Sequence, residues 1–75
     1  MNASLLDRIT IEAGKCGGKP CIRGMRIRVS DILEMMGEAV SMEQILIDFP
    51  DLQREDILAS LKFAARRSDI VRLAA

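Results

Sequence analysis

The residues with the most chemical potential lie in AGKCGGKP, Ala13 to Pro20, which holds a cysteine, two lysines and three glycines and is followed directly by a second cysteine, Cys21. A glycine-rich run with a lysine can cradle phosphate, but the loop that does so needs G-x-x-x-x-G-K-[ST]. Here Ala13 stands at the first glycine, and Pro20 replaces the hydroxyl that would hold magnesium. Cys16 and Cys21 cannot complete a tetrahedral metal site alone, and the absence of histidine removes the commonest zinc ligand and general base together. Carboxylates are plentiful, yet they fall at capping and solvent positions, and nothing selects a pair for acid–base work. The expectation is a protein that is not an enzyme and takes no cofactor and no metal.

Charge is the second source of chemistry. The formal net charge is zero, but Ala13 to Ser30 carries Lys15, Lys19, Arg23, Arg26 and Arg28 and no acidic residue. Between Asp31 and Asp56 the acidic residues are opposed by Arg54 alone, and the last segment is basic again. Such segregation suits two different faces, or a solvated surface that keeps a small protein soluble. Arg26 and Arg28 share one side of an alternating segment, and Lys62 and Arg66 are four apart on a helix, where they repel one another unless an anion lies over them. Either pair can contact phosphates or hold water.

The elements that must position these groups are short. RITIE, Arg8 to Glu12, alternates with the period of a strand, with Ile9 and Ile11 on one side. After the glycine-rich loop, CIRGMRIRV reads as a second strand kinked or bulged at Gly24. Ser30 is the expected N-cap of a first helix with Ile32, Leu33 and Met36 on its apolar side and a stop at Gly37. SMEQ, Ser41 to Gln44, fits a capping box with a Val40–Ile45 staple, and the second helix must end before Pro50. Asp51 or Gln53 caps a third helix whose inward stripe is read as Ile57, Leu58, Leu61, Ala64 and Ala65, ending near Ser68. The tail that follows offers Ile70, Val71 and Leu73 as an apolar patch.

The chain has 75 residues, 49% hydrophobic and 29% charged, which is room for one packed domain, with a core over about 8–67 and a tail over 68–75. The expected fold is mainly α: a small three-helix, winged helix-turn-helix-like bundle with a short N-terminal pair of β-strands. No apolar stretch approaches the length of a membrane span, and the N-terminus lacks the layout of a signal peptide, so the expected location is the cytoplasm. There a reducing environment keeps both cysteines as thiols.

The second and third helices, joined by a tight turn at FPDL, have the layout of a helix-turn-helix. In that motif the start of the later helix reads base edges. Here that is Gln53 and Arg54, able to bond adenine and guanine respectively. Glu55 and Asp56 oppose them on approach to a polyanion. Three-helix packing with no DNA role fits the same pattern.

The segment GGKPCIRGMRIRVSDIL, followed by SMEQILIDFPDLQREDILASLKFA, resembles the bacterial and archaeal domain-of-unknown-function family 433. The match runs from about Arg8 to Arg67, through a GKPxIxGTRIxV-like signature and an L-T-x-E-D-I-like turn. The signature turn falls on Gly18, Lys19, Pro20, Ile22, Arg23, Gly24 and Arg26. Met25 departs from the usual threonine, Gln53 from a capping Thr or Ser, and Ala39 from a glycine. The resemblance implies a winged-helix-like or helix-turn-helix antitoxin, similar in role to VapB proteins. Its implied partner is a cognate PIN-like ribonuclease toxin, with operator DNA bound by a homodimer. A stand-alone DNA-binding regulator and a non-catalytic interaction module are the alternatives.

Overall fold

The computed structural model describes residues 4–68. Three α-helices, α1 (Val29–Gly37), α2 (Met42–Asp48) and α3 (Arg54–Ser68), follow a two-stranded antiparallel sheet of β1 (Ile9–Thr10) and β2 (Cys21–Ile22). Ile9 faces Ile22 and Thr10 faces Cys21. A 3-10 turn at Leu5–Arg8 precedes β1 and packs on α3 more heavily than any other element does. The fold is therefore a small, mainly α domain with the expected N-terminal strand pair.

The core is aliphatic. Ile22, Val29, Ile32, Ile45, Leu52 and Ile57 form one buried cluster, contributed by the sheet, all three helices and the α2–α3 turn. Burying each isoleucine is worth roughly 1.5–3 kcal/mol, so a handful of them accounts for most of the apolar driving force in so short a chain.

The strands are shorter than the alternation suggested. In RITIE only Ile9 and Thr10 pair, and Ile11 is 61% exposed because the chain turns away at Glu12. CIRGMRIRV is not one bulged strand but a reversal. The Met25 N–H donates to the Ile22 carbonyl at 2.7 Å across Arg23 and Gly24, both with positive φ. That pairing of left-handed residues is the pattern of a type I′ hairpin turn. The returning segment then donates from Val29 N–H to the Pro20 carbonyl, while Ile22 N–H donates to the Ile27 carbonyl. Arg26 and Arg28 consequently do not share a strand face. Gly24 sits where a side chain would be strained, with φ +72° and its N–H on Thr10 Oγ1 at 2.9 Å.

Helix ends show four more differences. α1 begins one residue before Ser30, with Arg28 at its N-cap and Asp31 reaching back to the Arg28 N–H, so the Ser30 hydroxyl is not the cap. Gly37 lies inside the last turn, and the reversal comes at Ala39, with φ +66°. There Val40 N–H donates to the Met35 carbonyl and Ala39 N–H to that of Met36, the paired bonds of a Schellman motif, whose left-handed position normally falls to glycine. Ser41 Oγ does accept from Gln44 N–H, but the Gln44 side chain turns to Asp48, donating to its Oδ1, instead of accepting from the Ser41 N–H, so half of the capping box forms. At the start of α3 the Gln53 N–H is satisfied by Asp56 Oδ2.

The inward stripe of α3 is also rotated from the expectation. Asp56, Ile57, Ala59 and Ser60 are buried, whereas Leu61 is exposed and Ala65 faces solvent. A carboxylate and a hydroxyl can face inward because each has partners: Ser60 Oγ donates to the Asp56 carbonyl, and the Asp56 side chain is fully paired. Ile70, Val71 and Leu73 lie outside the described residues.

Ala39 carries a left-handed backbone that costs an L-residue about 1–2 kcal/mol, while glycine there loses about 0.5–1 kcal/mol in chain entropy. Ala39→Gly is therefore expected to stabilise the fold by about 0.5–1 kcal/mol, read as a higher midpoint in urea with an unchanged slope.

Candidate functional site

The densest polar constellation links three elements at Asp56, whose side chain has no exposed surface. Arg23 grips it with two parallel bonds, Nε to Oδ1 at 3.0 Å and Nη2 to Oδ2 at 2.9 Å. Arg8 adds Nη1 to Oδ1 at 2.9 Å, and the Gln53 N–H reaches Oδ2 at 2.8 Å. Arg23 Nη2 also donates to the Asp51 carbonyl, and Arg8 Nη1 to Gln53 Oε1. Burial pushes the Asp56 pKa up, but the bonds from Arg23, the Gln53 N–H and Arg8 outweigh it, so the carboxyl lies below the ordinary aspartate range. With four donors on two oxygens, this carboxylate ties the hairpin turn and the N-terminal turn to the start of α3, and it is not free to act as a base.

The signature turn is thus structural at Arg23 and Gly24. Arg23 holds φ +45°, a conformation unusual for a side chain, and is fixed there by its N–H on the Arg8 carbonyl and its guanidinium on Asp56. The phosphate-cradle reading of the glycine loop also fails in geometry. The Gly18 and Lys19 N–H groups turn inward to the Lys15 and Cys16 carbonyls, and Lys15 Nζ is taken by the Gly24 carbonyl at 2.6 Å. Cys21 is buried, and burial with the neighbouring Cys16 raises its thiol to about 11.

The candidate nucleic-acid residues are scattered. Gln53 and Arg54 lie together at the start of α3, exposed, but the Gln53 side-chain oxygen Oε1 accepts from Arg8 and Glu55 stands beside Arg54. Arg28 is paired with Asp31, with Nε to Oδ2 at 3.2 Å and Nη2 to Oδ1 at 3.1 Å, an exposed ion pair whose carboxylate a phosphate would have to displace. Arg26, Lys62 and Arg66 are exposed. Arg26 is on the hairpin loop, whereas Lys62 and Arg66 are on α3. Pro20 and Lys19 contribute to a surface groove of about 300 Å³, with Val29, Leu33 and Phe63 as its apolar lining and Ser30 and Arg67 at its edge. Arg67 lies 5.3 Å from the centre of the Phe63 ring. Arg8, Asp56 and this groove were not singled out as sites in the sequence. The only available signal was that Arg23 and Asp56 both fall on the signature pattern, with no hint that they touch.

A family model described as "Protein of unknown function (DUF433)" matches residues 9–64. The chain belongs to the DUF433 family. The match spans the hairpin, all of α1 and α2 and most of α3, so it includes Arg23 and Asp56 and leaves out Arg8 and Arg67. The chain is also similar to the crystal structure of a DUF433 member protein from Anabaena variabilis ATCC 29413, with a TM-score of 0.77 and 27% identity. That likeness covers 84% of this chain and 62% of the other, so this chain spans less than two thirds of that protein's length. No curated protein matches. No helix among the described residues is long and apolar enough to cross a membrane.

Two outcomes follow for this DUF433 chain. Asp56→Asn leaves two guanidiniums facing a neutral amide. Because both arginines keep some contact with water, the loss is expected at the lower end for a broken buried pair, about 3 kcal/mol by urea denaturation at pH 7. Asp56 has a folded pKa below its unfolded value, so its contribution is complete above about pH 4 and fades as pH falls through the folded pKa. The gap between wild type and Asp56→Asn must therefore narrow below pH 4, and a gap that is constant with pH would remove the ionic account. Separately, at pH 8 a thiol reagent should label Cys16 first, with Cys21 reacting only on unfolding, as mass spectrometry of partially labelled protein can read.

Proposed function

We propose that this protein is a non-enzymatic, cytoplasmic antitoxin that binds and neutralises a PIN-like ribonuclease toxin and, as a homodimer, represses its own operon. The observation that supports it best is the run of exposed carboxylates in the middle third, which form no ion pair among the described residues. Glu34, Glu38, Glu43, Asp48, Asp51 and Glu55 are all exposed, with Arg54 the single cation among them. Asp31 and Asp56, the other two carboxylates of that stretch, are already held by arginines. An enzyme that cleaves RNA must present cations to phosphates. An inhibitor with a dense carboxylate surface complements that face and is steered to it.

Operator contact is the secondary part of the reading. With Arg28 paired to Asp31 and the Gln53 side-chain oxygen to Arg8, phosphate contacts fall first to Arg26, Arg54, Lys62 and Arg66. Such contacts position a protein on DNA without reading sequence.

Affinity-tagged protein drawn from its native cytosol should bring down one small protein whose RNA cleavage is suppressed in the complex and returns when the two are separated. Glu38→Lys with Asp51→Lys, both at exposed sites, should weaken that complex about tenfold or more. A co-purifying protein without nuclease activity, or a complex indifferent to both reversals, would end the antitoxin reading. Recovery of DNA alone, lost steeply with added salt, would favour a stand-alone DNA-binding regulator.

A further inference from the structure

Two surface features lack an ion-pair partner among the described residues and are opposite in charge, although Arg67 lies over the Phe63 ring and Asp48 accepts from the Gln44 amide. The first is the groove between the signature loop, α1 and the end of α3. Its floor is Pro20, Val29, Leu33 and Phe63, its rim carries Lys19 and Arg67, and no carboxylate lines it. Neither Lys19 nor Arg67 pairs with a carboxylate among the described residues. The second feature is Ile47 on α2, 69% exposed and the most exposed large apolar side chain among the described residues. It stands one turn from Glu43 and next to Asp48, both exposed. An apolar knob between carboxylates on a two-turn helix is the inverse of an apolar groove between cations.

We infer that the groove is the docking site for α2 of a second copy of this chain, with Ile47 over Phe63 and Leu33, and Glu43 and Asp48 at Lys19 and Arg67. A second copy is favoured over an unrelated peptide because both halves of the contact are present on one molecule, and each leaves the other's charge uncompensated. The arrangement deepens the homodimer part of the reading above and rests on it. It leaves Glu34, Glu38, Asp51 and Glu55 open to the toxin. Salt should weaken it, since the rim pairs stay near solvent.

Sedimentation of the full chain over a range of concentrations tests this without toxin or DNA. Wild type should associate, and Ile47→Asp, a change at an exposed site with little bearing on folding, should raise the dissociation constant about tenfold or more. The decisive arm is a charge swap. A groove variant, Lys19→Glu with Arg67→Glu, and a helix variant, Glu43→Lys with Asp48→Lys, should each be monomeric alone and associate when mixed in equal amounts. Circular dichroism of each confirms that it is folded. Dimers untouched by all of these changes would overturn the docking face while keeping the homodimer. A wild type that stays monomeric to millimolar concentration would overturn both, with the toxin pull-down still standing. Variants that bind DNA or RNA less well yet associate normally would assign Lys19 and Arg67 to nucleic acid instead, and would also overturn the docking face.

Discussion

One buried carboxylate organises this domain. Asp56 sits in the first turn of α3 with no exposed side-chain surface, and an unpaired charge there would cost several kcal/mol. Its two oxygens are met by Arg23 from the hairpin turn, Arg8 from the N-terminal turn and the backbone at Gln53. Three segments far apart in sequence are thereby held at one point. A chain of 75 residues with two aromatic side chains has a modest core, so a polar tie that fixes where the sheet meets α3 specifies what packing alone would leave loose. The left-handed backbone at Arg23 follows from the same requirement. The turn must aim a guanidinium at Asp56, and that position accepts conformational strain which the two parallel hydrogen bonds offset.

What could be read from the sequence was decided locally. Ser41 capping α2, the break at Pro50 and the strand character of Ile9 and Ile22 each depend on residues within one turn of each other, and each is present in the fold. What was misread depended on distant partners. Asp56 and Ser60 look like solvent residues on a helical wheel, and only the arrival of Arg8 and Arg23 lets them turn inward. That displaces Leu61 to the surface, where hydropathy alone would not put it. CIRGMRIRV alternates like a strand, yet a continuous strand cannot also bring Arg23 to α3. Long-range pairing overrode the local period.

The same distinction separates the site from the scaffold. Family patterns record positions that matter without saying for what. Of the signature residues, Ile22 serves the core, Gly24 the turn and Arg23 the tie to α3, whereas Lys19 and Pro20 line a groove and Gly18 and Arg26 are exposed. Folding thus accounts for Ile22, Arg23 and Gly24 but gives no role to the side chains of Lys19 and Arg26, and Lys19 lines a groove shared with Arg67, which lies over Phe63.

A net charge of zero is usually taken to mean that a small protein has no electrostatic preference. Here it is the sum of segments of opposite sign. The exposed carboxylates between Glu34 and Glu55 have one cation among them in sequence, whereas α3 carries Lys62, Arg66 and Arg67, and Arg67 lines a groove with Lys19. Among the described residues the carboxylates held by an arginine or lysine are Asp56, Asp31 and Glu12. Like charges left adjacent on a surface repel, and that cost is recovered only when an opposite surface covers them. The fold itself uses charge at few points among the described residues, and chiefly at Asp56, where two arginines and a backbone N–H meet one buried carboxylate.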